Sequence, residues 1–97
     1  MSRVERDLIK AVTDSATESV SGVAVSLMRN RDWSSSLFSG VRLTVEINAG
    51  EDEAFETWLA DLPEAEFAVR GYFVASADLV ERSSGIAVVE FLLVEES

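Results

Sequence analysis

The chain of 97 residues contains no cysteine and no histidine. Without cysteine there is no disulfide bond, no thiolate ligand for zinc and no cysteine nucleophile. Without histidine the chain lacks the side chain used most often as a general base and as a transition-metal ligand. Lys10 is the single lysine, so the serines have no neighbouring amine to activate them. We therefore expect no catalytic residue, no cofactor and no metal site.

Proline and glycine are also scarce, with one and five residues, too few for a linker-rich or fibrous protein. A chain of this length with 47% hydrophobic residues is expected to form one domain, residues 1–97, around a single core. The longest apolar runs, among them 86–89 and 91–94, have four residues, whereas a membrane span needs about 20. The first residues carry mixed charge, unlike a signal peptide. We expect a cytoplasmic protein with no membrane contact.

Two helices are predicted. Apolar residues at every fourth position, beginning with Val4, indicate an amphipathic helix over about residues 3–19. A capping-box pattern at Ser15–Glu18 leaves open that a helix restarts there. The second helix is predicted from Glu51 to Leu62, and Pro63 ends it.

A period of two predicts strands over residues 23–28, 41–48 and 66–75, and an almost continuous apolar run predicts a fourth strand over residues 86–94. The polar stretch 29–40 is expected to be a connection, and 78–85 a turn region. In the last strand only Glu90 interrupts the apolar residues, so both faces of that strand should be covered.

The order helix–strand–strand–helix–strand–strand predicts an α+β two-layer sandwich, with a mainly antiparallel four-stranded sheet and both helices on one face. The same order results when the first strand of a ferredoxin-like unit is moved to the end of the chain. That topology predicts the spatial strand order 3-4-2-1. An alternative places the first helix on the opposite face, which gives three layers.

In the two-layer arrangement the second face of the sheet is left without a cover. Its candidate dimer or ligand residues are Arg42, Arg70, Tyr72, Val88, Glu90 and Leu92. An apolar face of this size is more than monomers usually expose, so a second copy of the chain is the simplest cover. The leading hypothesis is a non-catalytic, homodimeric protein-interaction module with an accessory, inhibitory or assembly role. The alternative is a small-molecule-binding or enzymatic site that uses Arg42, Arg70, Tyr72 and Glu90.

The net charge of −10 lies entirely in the second half of the chain. Seven acids and no base fall between Glu51 and Glu66. Such a run is typical of a solvated helix face. The sharper hypothesis is a docking surface for a basic protein at Glu56, Asp61 and Glu64, in the extreme case a nucleic-acid mimic. Direct binding of nucleic acid is not expected, because the chain is acidic.

Two further clusters have a structural explanation as well as a functional one. The first is the acidic group Glu51, Asp52, Glu53 and Glu56, which has oxygen ligands for Ca²⁺ or Mg²⁺ but lacks a spaced calcium-loop motif. The second is Arg29, Arg31 and Trp33, which could grip a phosphate or stack on a base. We expect a polar hairpin loop at the second cluster, with Trp33 and Phe38 packed on the sheet edge.

Overall fold

The computed structural model describes residues 1–50 and 52–96 and shows an α+β fold. Its elements are α1 (Arg3–Thr17), β1 (Ala24–Ser34), β2 (Ser39–Asn48), α2 (Glu53–Asp61), a 3₁₀ turn (Leu62–Glu64), β3 (Tyr72–Ser83) and β4 (Ile86–Glu95). Neither helix of the described residues is long and apolar enough to cross a membrane.

Both helices begin at residues whose side chains satisfy backbone N–H groups. Ser2 and Glu5 form a capping box at the start of α1, the same motif that the sequence also offers at Ser15–Glu18. No restart occurs there: α1 runs on to Thr17, and the Ser15 hydroxyl accepts a 3.1 Å hydrogen bond from the Trp58 indole. The side chain of Asp52 accepts a 2.9 Å hydrogen bond from the backbone of Ala54 and so caps α2.

The four strands form one antiparallel sheet in the order β1-β2-β4-β3, which is the predicted order 3-4-2-1. Both helices pack on one face of this sheet, which confirms two layers and excludes the three-layer alternative. The core joins Leu8 and Val12 of α1 and Phe55 and Leu59 of α2 to alternate residues of the central strands, namely Val41, Leu43, Val45, Ile47, Ala87, Val89, Phe91 and Leu93. Burying this apolar surface is the main stabilisation of the fold.

The prediction of a loop over residues 29–40 was wrong. Strand β1 continues to Ser34, and the turn is confined to four residues, where the backbone N–H of Ser35 donates to the carbonyl of Phe38 at 2.7 Å. The register shifts at Met28, a bulge, and pairing then resumes with Arg29 opposite Thr44. The charged residues of this half strand are compatible with pairing because β1 is an edge strand with solvent on one side.

The third strand was also misplaced. It begins at Tyr72, not at residue 66, and it extends through the segment 78–83 that was expected to turn. The register against β4 shifts twice, between Val74 and Ser76 and between Leu79 and Glu81. Phe67 and Val69 are still buried in the core, but in a segment without regular strand pairing that precedes β3.

Candidate functional site

Within the described residues, no helix covers the face of the sheet opposite α1 and α2. We call this surface the open face. The pairing register assigns to it Ala24, Ser26, Arg29, Arg31 and Trp33 of β1, Gly40, Arg42, Thr44, Glu46 and Asn48 of β2, Ile86, Val88, Glu90, Leu92 and Val94 of β4, and Phe73, Ser76, Asp78, Glu81 and Ser83 of β3. Each position follows from the rule that directly paired residues of antiparallel strands share a face.

The open face is divided into halves of opposite charge. Strands β1 and β2 present Arg29, Arg31 and Arg42 against a single acid, Glu46. Strands β4 and β3 present three acids, Asp78, Glu81 and Glu90, and no base. The net charge of the face is therefore only −1, although the chain carries −10. Most of the excess negative charge lies elsewhere on the molecule.

One ion pair joins the two halves at the centre of the sheet. The Arg42 guanidinium lies 3.0 Å from the carboxylate of Glu90 on the adjacent strand. Both side chains remain about one-third exposed, 39% for Arg42 and 34% for Glu90. The pair fixes the two side chains in place, but water screens it, so its own contribution to stability is at most about 1 kcal/mol.

An apolar row crosses the whole sheet at one end of the open face. The register pairs Trp33 with Gly40, Gly40 with Val94 and Val94 with Phe73. Val94 is 5% exposed, whereas Phe73 is 47% exposed. Gly40 cannot be replaced without moving β4, because an added Cβ would lie 1.9 Å from the backbone oxygen of Leu93. Phe73 and the exposed Phe38 of the hairpin turn also border one open cleft of about 450 Å³.

The structure separates the six residues that the sequence placed on this face. Arg42, Val88, Glu90 and Leu92 lie on the open face, as the register of β2 with β4 shows. Tyr72 does not, because it pairs with Glu95 and packs against the helix-side core. Arg70 is exposed in the segment before β3. The cause is the misplaced third strand: moving its start to Tyr72 changes which side chains share a face.

The residues that were missed lie on the two edge strands. The sequence predicted a loop for Arg29, Arg31 and Trp33, and it did not predict Phe73, Asp78 and Glu81 on the open face. The signal for the first three is in the sequence, since they occupy every second position and so point to one side of a strand. The β3 residues carry no equivalent signal, because two bulges break their alternation.

Two acids of the segment from Glu51 to Glu66 make contacts that support the fold. The carboxylate of Glu56 pairs with the guanidinium of Arg82, which also donates to the backbone oxygen of Ile86 at 2.8 Å and lies 5.2 Å from the Phe55 ring centre. Asp61 and Glu64 are exposed. Of the possible cation ligands, Asp52 is occupied in capping α2, and Glu51 lies outside the described residues.

Searches against family models, curated proteins and solved structures found no match to this chain. What the fold and the site define is a class: a two-layer α+β sandwich with an uncovered, charge-divided sheet face. A fold of this type supports many functions, so the residues of the open face, and not the fold, have to indicate the function.

Proposed function

We propose that the protein is a non-catalytic protein-interaction module whose docking surface is the open face. The observation that carries the proposal is the combination, on one uncovered side of the sheet, of an apolar row ending at the 47% exposed Phe73 with charges arranged in two halves. Protein interfaces likewise combine an apolar patch rich in aromatic residues with a polar rim.

The size of the open face suits a protein partner. Four strands spaced about 4.8 Å apart and about ten residues long, at about 3.3 Å per residue, cover about 600 Å². Contact with a partner over this area would bury about 1,200 Å² in total, the lower end of the range for specific protein complexes. A sheet face of this extent offers many contact points to a protein, whereas small-molecule sites are concave pockets.

The geometry supports the interaction module better than the alternative of a small-molecule or enzymatic site. It required Arg42, Arg70, Tyr72 and Glu90 to line one pocket. Arg42 and Glu90 lie on the open face, Tyr72 packs on the helix side, and Arg70 precedes the strand. These side chains therefore do not converge on one bound molecule.

A basic protein as partner of Asp61 and Glu64, and a cytoplasmic location, remain predictions of the sequence. The pairing of Glu56 with Arg82 removes one of the three acids from that predicted surface. Binding there should weaken steeply as salt rises toward 0.5 M, where charges more than about 4–5 Å apart are screened.

The proposal is tested by the reactivity of single cysteines, because the natural chain has none. Ser76→Cys reports on the open face and Ala60→Cys on the exposed side of α2. Each variant is labelled with a maleimide as purified protein at nanomolar concentration, where a homodimer of micromolar affinity is dissociated, and in a concentrated extract of the source cells. The labelling rate of each is normalised to that of the same variant in denaturant.

A docking surface predicts that the labelling of Ser76→Cys slows at least about fivefold in the extract, while Ala60→Cys is labelled equally in both conditions. Equal labelling of Ser76→Cys in both conditions would show that nothing covers the open face, and the proposal would fail.

A further inference from the structure

We infer that the partner on the open face is a second copy of this chain, related by a twofold axis that runs along the strands between β2 and β4. This inference rests on the proposed function, because it names the occupant of the same face. Two observations support it: in this dimer the basic half of one open face meets the acidic half of the other, and the two apolar rows meet each other.

The strand order determines which strands meet. The sheet runs β1-β2-β4-β3, so its midline lies between β2 and β4. Consider a twofold axis that lies above the open face, parallel to the strands and over this midline. Rotation about it brings the open face of the second copy against that of the first and reverses the order of the strands across the sheet. Each residue stays in the same row along the strands. Strand β1 then lies over β3 of the second copy, and β2 lies over β4. Aligned packing of this kind is the usual arrangement of two sheets about 10 Å apart.

This arrangement places opposite charges together. Arg29 and Asp78 lie at the two ends of one row of paired residues, Arg29–Thr44–Glu90–Asp78. In the dimer Arg29 therefore faces Asp78 of the second copy, and by symmetry Asp78 faces the second Arg29. The basic half of each copy covers the acidic half of the other. At the axis the two Arg42–Glu90 pairs meet, and each arginine then has the Glu90 of the second copy one row away in addition to its own.

The apolar row fits in the same arrangement. It reads Trp33–Gly40–Val94–Phe73 across the sheet. After the rotation Trp33 lies over Phe73 of the second copy, and Val94 lies over Gly40, which has no side chain to meet it. Each copy thus covers the 47% exposed Phe73 of the other with an indole ring. Aromatic contacts of this kind stabilise an interface beyond the effect of the area that they bury.

The other in-plane twofold, perpendicular to the strands, does not fit. It would lay each strand on its own image and reverse the order of the rows. Arg29 would then face Arg29, and Asp78 would face Asp78, so like charges would meet at both edges. The apolar row would lie over the opposite end of the sheet, at Ile86 and Ser83. Like charges in contact across an interface disfavour the complex.

The test reverses the charge at each of two positions that do not contact each other within one chain. Arg29 and Asp78 are both exposed and lie on opposite edge strands, about 14 Å apart at normal strand spacing. Arg29→Glu and Asp78→Arg should therefore leave the fold intact. Arg6→Glu on α1 and Asp61→Arg on α2 make the same charge changes at exposed positions away from the face. Val88→Glu is unsuitable, because Val88 is only 6% exposed and its change would disturb folding.

Sedimentation equilibrium should show a wild-type dimer at micromolar concentration, and the two control variants should dimerise like the wild type. Each of Arg29→Glu and Asp78→Arg should raise the dimer dissociation constant at least about tenfold, because the symmetry repeats the repulsion twice. An equimolar mixture of these two variants should form heterodimers again, since each repulsive contact then becomes attractive. Circular dichroism checks that both variants are folded.

A wild-type chain that stays monomeric at 100 µM would overturn the inference. So would a dimer that neither variant weakens, or one that mixing the variants does not restore, because the contact would then be elsewhere. The cysteine experiment distinguishes failure of the docking surface from failure of the second copy as its partner. Protection of Ser76→Cys in the extract together with a monomeric pure protein would keep the interaction module and reject the second copy as its partner.

Discussion

Asn30 on β1 donates a 2.8 Å hydrogen bond to the carboxylate of Glu5, which lies 25 residues earlier in the first turn of α1. The same carboxylate accepts a 2.6 Å hydrogen bond from the backbone N–H of Ser2. Glu5 is 8% exposed and is the one charged residue buried with the core among the described residues. The capping box of α1 is therefore linked to β1, an edge strand that follows later in the sequence.

Replacing Asn30 by alanine should destabilise the fold by about 1 kcal/mol, because Glu5 then loses one partner while it stays largely covered. Asn48→Ala, at the exposed end of β2, is the matched control and should change stability by less than about 0.5 kcal/mol. Urea unfolding followed by tryptophan fluorescence measures both. Equal effects of the two substitutions would show that the hydrogen bond adds nothing.

The Glu5 carboxylate should also make stability depend on pH. The hydrogen bond from Asn30, followed by those from Ser2, lowers the pKa of Glu5 below its usual 4.5. A group whose pKa is lowered in the folded state stabilises it fully above the unfolded value, and this stability is lost as the pH falls through the folded pKa. Glu5→Gln should therefore be less stable at pH 7 but lose less stability than the wild type between pH 5 and pH 3. Parallel pH profiles would contradict this.

Gly85 should tolerate substitution far less than Gly22, although both have nearly the same φ, +73° and +72°. A Cβ on Gly85 would lie 2.8 Å from the Cα of Gly50, whereas one on Gly22 meets nothing within 4 Å. We expect Gly22→Ala to cost about 1–2 kcal/mol for its backbone conformation alone. Gly85→Ala should cost about 2–4 kcal/mol, since the contact is added to that conformation. Thermal unfolding compares the two, and equal costs would exclude the contact.

Arg82 connects α2 to the β3–β4 turn, so removing its charge should matter more than removing the charge of its partner. Arg82→Met loses the bond to the Ile86 carbonyl and the contact with the Phe55 ring, for about 1–2 kcal/mol. Glu56→Gln removes only a carboxylate that is 57% exposed and should cost less than about 0.5 kcal/mol. If Glu56→Gln costs as much as Arg82→Met in urea unfolding, the ion pair is the main contact.

Leu59→Ala should cost about 2–5 kcal/mol, because Leu59 is 8% exposed and packs α2 on the sheet. Leu37→Ala, in a residue that is 83% exposed, provides the same chemical change without a cavity. Its effect on the free energy of unfolding should stay within about 0.5 kcal/mol at submicromolar protein concentration, where association plays no part. A small effect at Leu59 would mean that α2 is loosely packed.

The central part of this fold was readable from the sequence. Val41, Leu43, Val45 and Ile47 alternate with polar residues because β2 has a dry face and a wet one. The mostly apolar composition of β4 predicted a central strand, and the strand order confirms that position. The four-residue period of α1 has the same origin in one-sided burial. Together with the element order, these strands and helices predicted the two layers and the strand order.

The edge strands were decided only by the tertiary structure. Arg29 and Arg31 look like loop residues, and 78–83 looks like a turn, because an edge strand needs few apolar residues to be stable. What makes these segments strands is the row of backbone N–H and C=O groups offered by β2 and β4. The hydropathy of a segment does not show which neighbouring strand it pairs with. The bulges at the register shifts also interrupt the alternation of apolar and polar residues.

The open face, too, was predicted in part from the sequence and decided in part by strand pairing. The sequence placed Arg42, Glu90 and Leu92 on an uncovered face, because they belong to the two central strands. The arginines of β1 and the acids of β3 joined that face only when pairing fixed their register. Side chains in a strand alternate between faces, so a shift of one residue moves a charge from one side of the sheet to the other. Composition determined that the protein is acidic, whereas the register of the edge strands decided where its opposite charges meet.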